Sequence, residues 1–194
     1  MAASLRNVCA LIGCVTLLAS CAKGSCDAQA TAQIWAPDCG LEGEQIELGP
    51  NFCAMQPSAS VEIIDIVVQR GSDLKSYSDG ISVFIDDPEM VKESMLGTEI
   101  ELGGFGPEVS LTLYMNETCP GVARIPVVYT AVSGTIRFDE LFVPWSDNTT
   151  EETRAVFTNV ELNDRQDTEE RRAVLDGEFS FFFERGMPAQ FFGF

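Results

Sequence analysis

The chain has 194 residues, a length that suits one ordinary domain. Apolar residues make up 45% and charged residues 22%, so a packed core is feasible and the composition is not that of a disordered chain. Acids outnumber bases 30 to 12, giving a net charge of −18 that repels phosphate backbones and argues against nucleic acid as a partner. Histidine is absent, which removes Ser-His-Asp and Cys-His catalysis and every His-ligated metal site.

At the N-terminus Arg6 precedes an apolar run from Val8 to Leu18. As a helix those residues span only about 17 Å, too short for a hydrocarbon core of about 30 Å but suited to the apolar region of a secretory signal. Leu18-Ala19-Ser20-Cys21 follows. This tetrad resembles the lipobox of bacterial lipoproteins: a branched apolar residue, two small residues, then cysteine. The resemblance covers residues 1–21 alone. It implies cleavage before Cys21, a diacylglycerol on the Cys21 sulfur, and a cell-envelope location with the membrane as a partner. Ala22, where Asp would favour inner-membrane retention, leans the resemblance toward the outer membrane. Leu11-Ile12-Gly13-Cys14 fits the pattern loosely but leaves too short an apolar run before the cut, and Cys26 follows Lys23-Gly24-Ser25, which does not fit. The expected organisation is therefore a signal peptide at 1–20, a lipidated cysteine and tether at 21–33, and one domain at 34–194.

Cleavage there leaves Cys26, Cys39, Cys53 and Cys119 in the exported chain. An even set in an oxidising compartment predicts two disulfides, with three possible connectivities. Cys39 and Cys53 bracket a turn-rich segment, Gly40 to Asn51, which favours their pairing and leaves Cys26 with Cys119. Spacings of 13, 14 and 66 are not those of a zinc site.

The remaining signals are mostly those of strands. Glu62–Val68 is rich in β-branched residues and apolar on both faces, predicting a central strand covered on both sides. Ile81–Asp86 follows the turn Ser78-Asp79-Gly80. Asp87, Pro88 and Gly97 frame one short helix near 88–96. Glu108–Asn116 alternates, with Val109, Leu111, Leu113 and Met115 on one face. Strands are expected at Val122–Ala131 and Gly134–Leu141, and in a segment where Val156, Thr158, Val160 and Leu162 share a face. In the last strand Leu175, Phe179, Phe181 and Phe183 point one way, with Gly177 among them where another element packs close. Asp176, Glu178, Ser180 and Glu184 point the other way, with Phe182 the exception. Repeated short strands with turns between them predict an all-β fold, an antiparallel β-sandwich. A small membrane barrel is disfavoured by the doubly apolar strand, the cysteines and the anchor.

Chemistry-bearing residues are sparse. The doublets Asp86-Asp87, Asp139-Glu140, Glu151-Glu152 and Glu169-Glu170 do not make a glycosidase pair, because adjacent strand residues face opposite ways. The loop Asn163–Glu170 offers Asp164, Asp167 and Glu169 as calcium ligands, although Arg165 dilutes its charge. Ser72-Asp73 with Ser78-Asp79 is a weaker site of the same kind. Asp65, inside an apolar strand, lies at the edge of its face or pairs with an arginine. Trp35 and Trp145 are the only tryptophans, and nothing in their spacing assembles a sugar platform. The expected function is a non-catalytic binding or structural module of an envelope lipoprotein, with an unassigned envelope protein or glycan as partner. Calcium or carbohydrate binding is the alternative, and a carboxylate-dependent hydrolase the remote one. No cofactor is required, with calcium the one candidate.

Overall fold

The computed structural model describes residues 22–24, 26–71, 78–103, 109–119, 127–149, 151–164 and 171–183. They form eleven strands: β1 (Ala22–Gly24), β2 (Cys26–Ala36), β3 (Leu41–Glu47), β4 (Phe52–Ser58), β5 (Ile63–Gln69), β6 (Gly80–Asp86), β7 (Ile100–Glu101), β8 (Val109–Met115), β9 (Val127–Glu140), β10 (Glu152–Asp164) and β11 (Arg172–Phe182). One helix, α1 (Pro88–Ser94), follows β6, and a 3-10 turn, Pro37–Cys39, follows β2. Pairing is antiparallel throughout, in the order β1-β4-β5-β6-β8-β9-β10-β11-β2-β3, with β7 added beside β9. A single residue separates β1 from β2, so one nearly continuous segment pairs with β4 at one end of this path and with β11 near the other. The sheet therefore curls until its two ends meet along that segment, and its inner faces pack on each other. The fold is all-β and sandwich-like, with one short helix.

The alternation read from the sequence fills the interior. Val109, Leu111, Leu113 and Met115 of β8 are buried together with Leu175, Phe179, Phe181 and Phe183. In β5 both faces are covered, Ile64, Ile66 and Val68 on one side and Val67 on the other. Asp87 caps α1, its carboxylate accepting the Met90 N–H at 3.0 Å, and Gly97 takes positive φ just beyond the helix.

Four expectations are corrected. The segment expected to be a tether, up to Gln33, is strand, so the domain starts by Ala22 rather than at residue 34. The turn-rich Gly40–Asn51 segment contains β3, which pairs with β2. Val156 and Thr158 do not share the inward face of Val160 and Leu162: a bulge between Phe157 and Val160 shifts the register on both sides of β10. Asn159 sits in that bulge with φ 49° and donates its N–H to Asp176 at 2.7 Å. Phe157 takes the inward place instead. Finally, the two strands expected around Gly134 are one strand of 14 residues, β9, with the reach from Val122 to Pro126 lying outside the described residues.

Candidate functional sites

All four cysteines expected to bond do so, but in a different connectivity. Cys26 bonds Cys53, with Cα atoms 5.1 Å apart, and Cys39 bonds Cys119, with Cα atoms 5.4 Å apart. The Cys39–Cys53 pairing fails because the chain between them runs out along β3 instead of folding into a compact loop, and Cys53 is delivered to the side of β1. Cys26–Cys53 thus crosses the line where the curled sheet meets itself. Cys39–Cys119 ties the 3-10 turn after β2 to the segment after β8.

That second bridge lies beside the most developed polar cluster. Asp79 is buried and spends its carboxylate on the segment ahead of Cys119, accepting N–H groups of Asn116 at 2.7 Å and Glu117 at 2.9 Å. It also takes the N–H and hydroxyl of Thr118. Asp79 is therefore a clamp that positions Cys119, and the weaker calcium loop loses its best ligand; its residues 72–77 lie outside the described residues. On the other side of the bridge, Arg171 forks onto both oxygens of Asp38 and donates to Asp164 at 3.0 Å. The Arg171 guanidinium holds the Asp38 carboxyl below its ordinary range, and the hydrogen bond to Asp38 raises Arg171 in turn. Tyr129 stands opposite Asp164 in the β9–β10 ladder. Its hydroxyl is buried without a protein partner, and burial pushes its pKa up to about 12.

This arrangement changes the reading of the calcium loop. The Asp164 side chain is only 2% exposed and is engaged by a cation, so it faces inward rather than presenting oxygens to an ion. Asp167 and Glu169 lie outside the described residues, and no group of three metal-binding side chains occurs among the described ones. Next to the cluster, a cleft of about 250 Å³ is lined by Trp35, Val132, Glu161, Asn163 and Arg172. The Arg172 guanidinium lies 4.5 Å from the centre of the Trp35 ring, and Gly43 packs so closely on the ring edge that a side chain there would collide with it. Trp35 is thus used within the fold. Trp145 lies past the far end of β9, partly buried with its indole N–H unpartnered, so the tryptophans form no common platform.

Of the acidic doublets, Glu169-Glu170 lies outside the described residues, Asp86 is exposed, and the others are occupied. Beyond the Asp87 cap, Asp139 pairs with Arg137, Glu140 and Glu152 flank Arg154, and Glu151 shares Lys92 with Asp147. Burial pulls the Lys92 pKa down, but these two carboxylates together hold it above its usual value. Among the described residues Asp65 meets no arginine. It faces outward from β5 and accepts the Ser82 hydroxyl at 2.5 Å, and burial raises its pKa despite that bond. Asn116 is a turn residue, its amide donating to the Ser78 carbonyl at 3.0 Å. The Arg171 cluster was missed by sequence reading because Asp38 and Arg171 are 133 residues apart and carry no periodic or motif signal. No family model, curated protein or solved structure matches the chain.

Proposed function

We propose that this protein is a lipid-anchored module of a bacterial cell envelope, held to the membrane through a diacylglycerol on Cys21 and acting by binding or support rather than catalysis. The observation that carries the reading is the fate of the cysteines. A cut before Cys21 removes Cys9 and Cys14, and all four that remain beyond Cys21 stand as two disulfides. That pattern fits a chain matured in an oxidising compartment. The Ala at residue 22, read through the lipobox resemblance, favours the outer membrane, with an envelope protein or glycan as partner. In support of a non-catalytic role, Asp87, Asp79, Asp147 and Asp164 are engaged in a helix cap, a loop clamp and ion pairs.

The test is metabolic labelling with palmitate in a bacterial host. The wild-type chain takes the label and floats with membranes, whereas Cys21→Ser takes none and stays soluble. Equal labelling of the two would overturn the anchor. A second reading, glycan binding, rests on the cleft beside Trp35, where Glu161, Asn163 and Arg172 supply polar groups around an aromatic edge. It predicts that a bound oligosaccharide shifts tryptophan emission in the wild type but not in Trp35→Phe.

A further inference from the structure

We propose that residues 59–61 of the four-residue β4–β5 turn are a membrane-contact tip pressed into the lipid headgroups. This rests on the Cys21 anchor proposed above. The inference starts from the missing tether. Ala22 is already a paired strand residue, level with Met55 of β4, and the register Ala22–Met55, Lys23–Ala54, Gly24–Cys53 puts the first residue of β1 at the end of that strand nearer Ser58. Cys21 is one residue back, its Cα within about 3.8 Å of that of Ala22. β4 continues three residues past Met55 to Ser58, about 10 Å at the rise of a strand. The turn then extends beyond that before β5 returns at Ile63. A lipid bonded to Cys21 therefore tethers the domain within a few strand residues of this turn, which brings the turn within reach of the headgroups.

The turn's composition suits that position. Ala59, Ser60 and Val61 are all exposed and uncharged, in a chain whose net charge is −18. Val61 is 60% exposed, the highest value among the exposed large hydrophobic residues described. The turn is also fixed: Val61 donates its N–H to the Ser58 carbonyl at 3.2 Å, and Glu62 follows with φ 55°. Phe84, 38% exposed, lies on the outer face of β6 in the row of Gln56 and Asp65, one step past Met55 toward the same end. Glu62 and Asp86 flank the tip, so the contact stops at headgroup depth and suits a zwitterionic rather than an anionic surface.

The experiment uses the lipidated full chain in phosphatidylcholine vesicles containing nitroxide-labelled lipid. Val61→Cys, and separately Ser60→Cys, carry an environment-sensitive fluorophore; the native cysteines are lipidated or in disulfides. Val132→Cys serves as the distant reference, because it adjoins Ala131, whose row leads through Leu162 and Ala173 to Ile34 at the far end of β2. The proposal expects nitroxide quenching at 60 and 61 about twofold or more above that at 132, with a blue-shifted emission, as for a group at the interface. Protein that carries lipid and floats with the vesicles but quenches no more at 60 and 61 than at 132 would overturn the tip while leaving the anchor standing. Protein that carries no lipid would overturn both.

Discussion

Arg171 shows how a single side chain can hold distant parts of this fold. It joins the 3-10 turn to the start of β11 through Asp38 and neutralises Asp164, a carboxylate almost fully withdrawn from water. Removing one partner of a buried pair leaves an uncompensated charge, at a cost of about 3–5 kcal/mol. Arg171→Met is therefore expected to lose up to about that much in urea unfolding, and adding Asp164→Leu to recover part of it, because the buried carboxylate is gone. A double variant no more stable than Arg171→Met would reject this account. Asp65 tests the opposite sign. Its pKa is raised in the fold, so the native state binds its proton more tightly than the unfolded chain, and stability falls as pH rises above the ordinary value of 3.8. Asp65→Asn keeps an acceptor for Ser82 without the charge. The variant is expected to melt higher than wild type at pH 7, with the difference shrinking to nothing below about pH 3.8, where Asp65 is protonated in both states. Melting curves across that range decide it; a difference independent of pH would mean that burial of the charge is not the cause.

At the scale of elements, what could be read from the chain depended on side-chain size. β8 and β11 were legible because large apolar residues mark every second position. β2 was not, although it alternates just as regularly: Ala30, Ala32, Ile34 and Ala36 are buried between exposed or half-buried polar neighbours. Three of those four are alanines, which carry little strand signal. The partner strand explains the choice. Along the β11–β2 ladder Phe179 stands opposite Ala28, Leu175 opposite Ala32, and Ala173 opposite Ile34, so large residues on one strand meet small ones on the other. Gly177 fits the same scheme, with the Phe157 ring occupying the space where its side chain would be. The Arg171 cluster and the disulfide pairing were illegible for another reason: they depend on which strands become neighbours when the sheet curls. Cys26–Cys53 spans 27 residues and Cys39–Cys119 spans 80. On the chain-entropy model, removing them costs about 3.5 and about 4.5 kcal/mol respectively. Replacing each pair by alanine should give denaturant midpoints in that order, with the Cys39–Cys119 variant the weaker. Non-reducing peptide mapping that recovered a Cys39–Cys53 peptide would refute the connectivity itself.

Over the whole molecule the decisive quantity is the imbalance of charge. Removing residues 1–20 takes away one arginine and no acid, leaving eleven bases against 30 acids, a charge of −19. Most of the described bases are already committed: Lys92, Arg137, Arg154 and Arg171 each sit on one or two carboxylates, and Arg172 lies over Trp35. The outward acids of β3 and β11, among them Glu42, Glu44, Glu47, Asp176 and Glu178, are exposed. Like charges spread over one closed surface repel each other and oppose the compact state. Salt shortens the screening length from about 30 Å at 0.01 M to about 8 Å at 0.15 M, which removes long-range repulsion. Most of the surface ion pairs it also weakens contribute little, about 0–1 kcal/mol each. The Asp164–Arg171 contact is shielded by burial and should be spared. The soluble domain beginning at Ala22 is therefore expected to melt higher in 0.15 M sodium chloride than in 0.01 M. Calcium adds a second comparison. Because Asp164 is held by Arg171, calcium at matched ionic strength is expected to give no further rise. A melting temperature that stays flat or falls with sodium chloride would reject the repulsion argument, and an additional rise with calcium would restore Asp167 and Glu169 as ligands of a site that Asp164 does not complete.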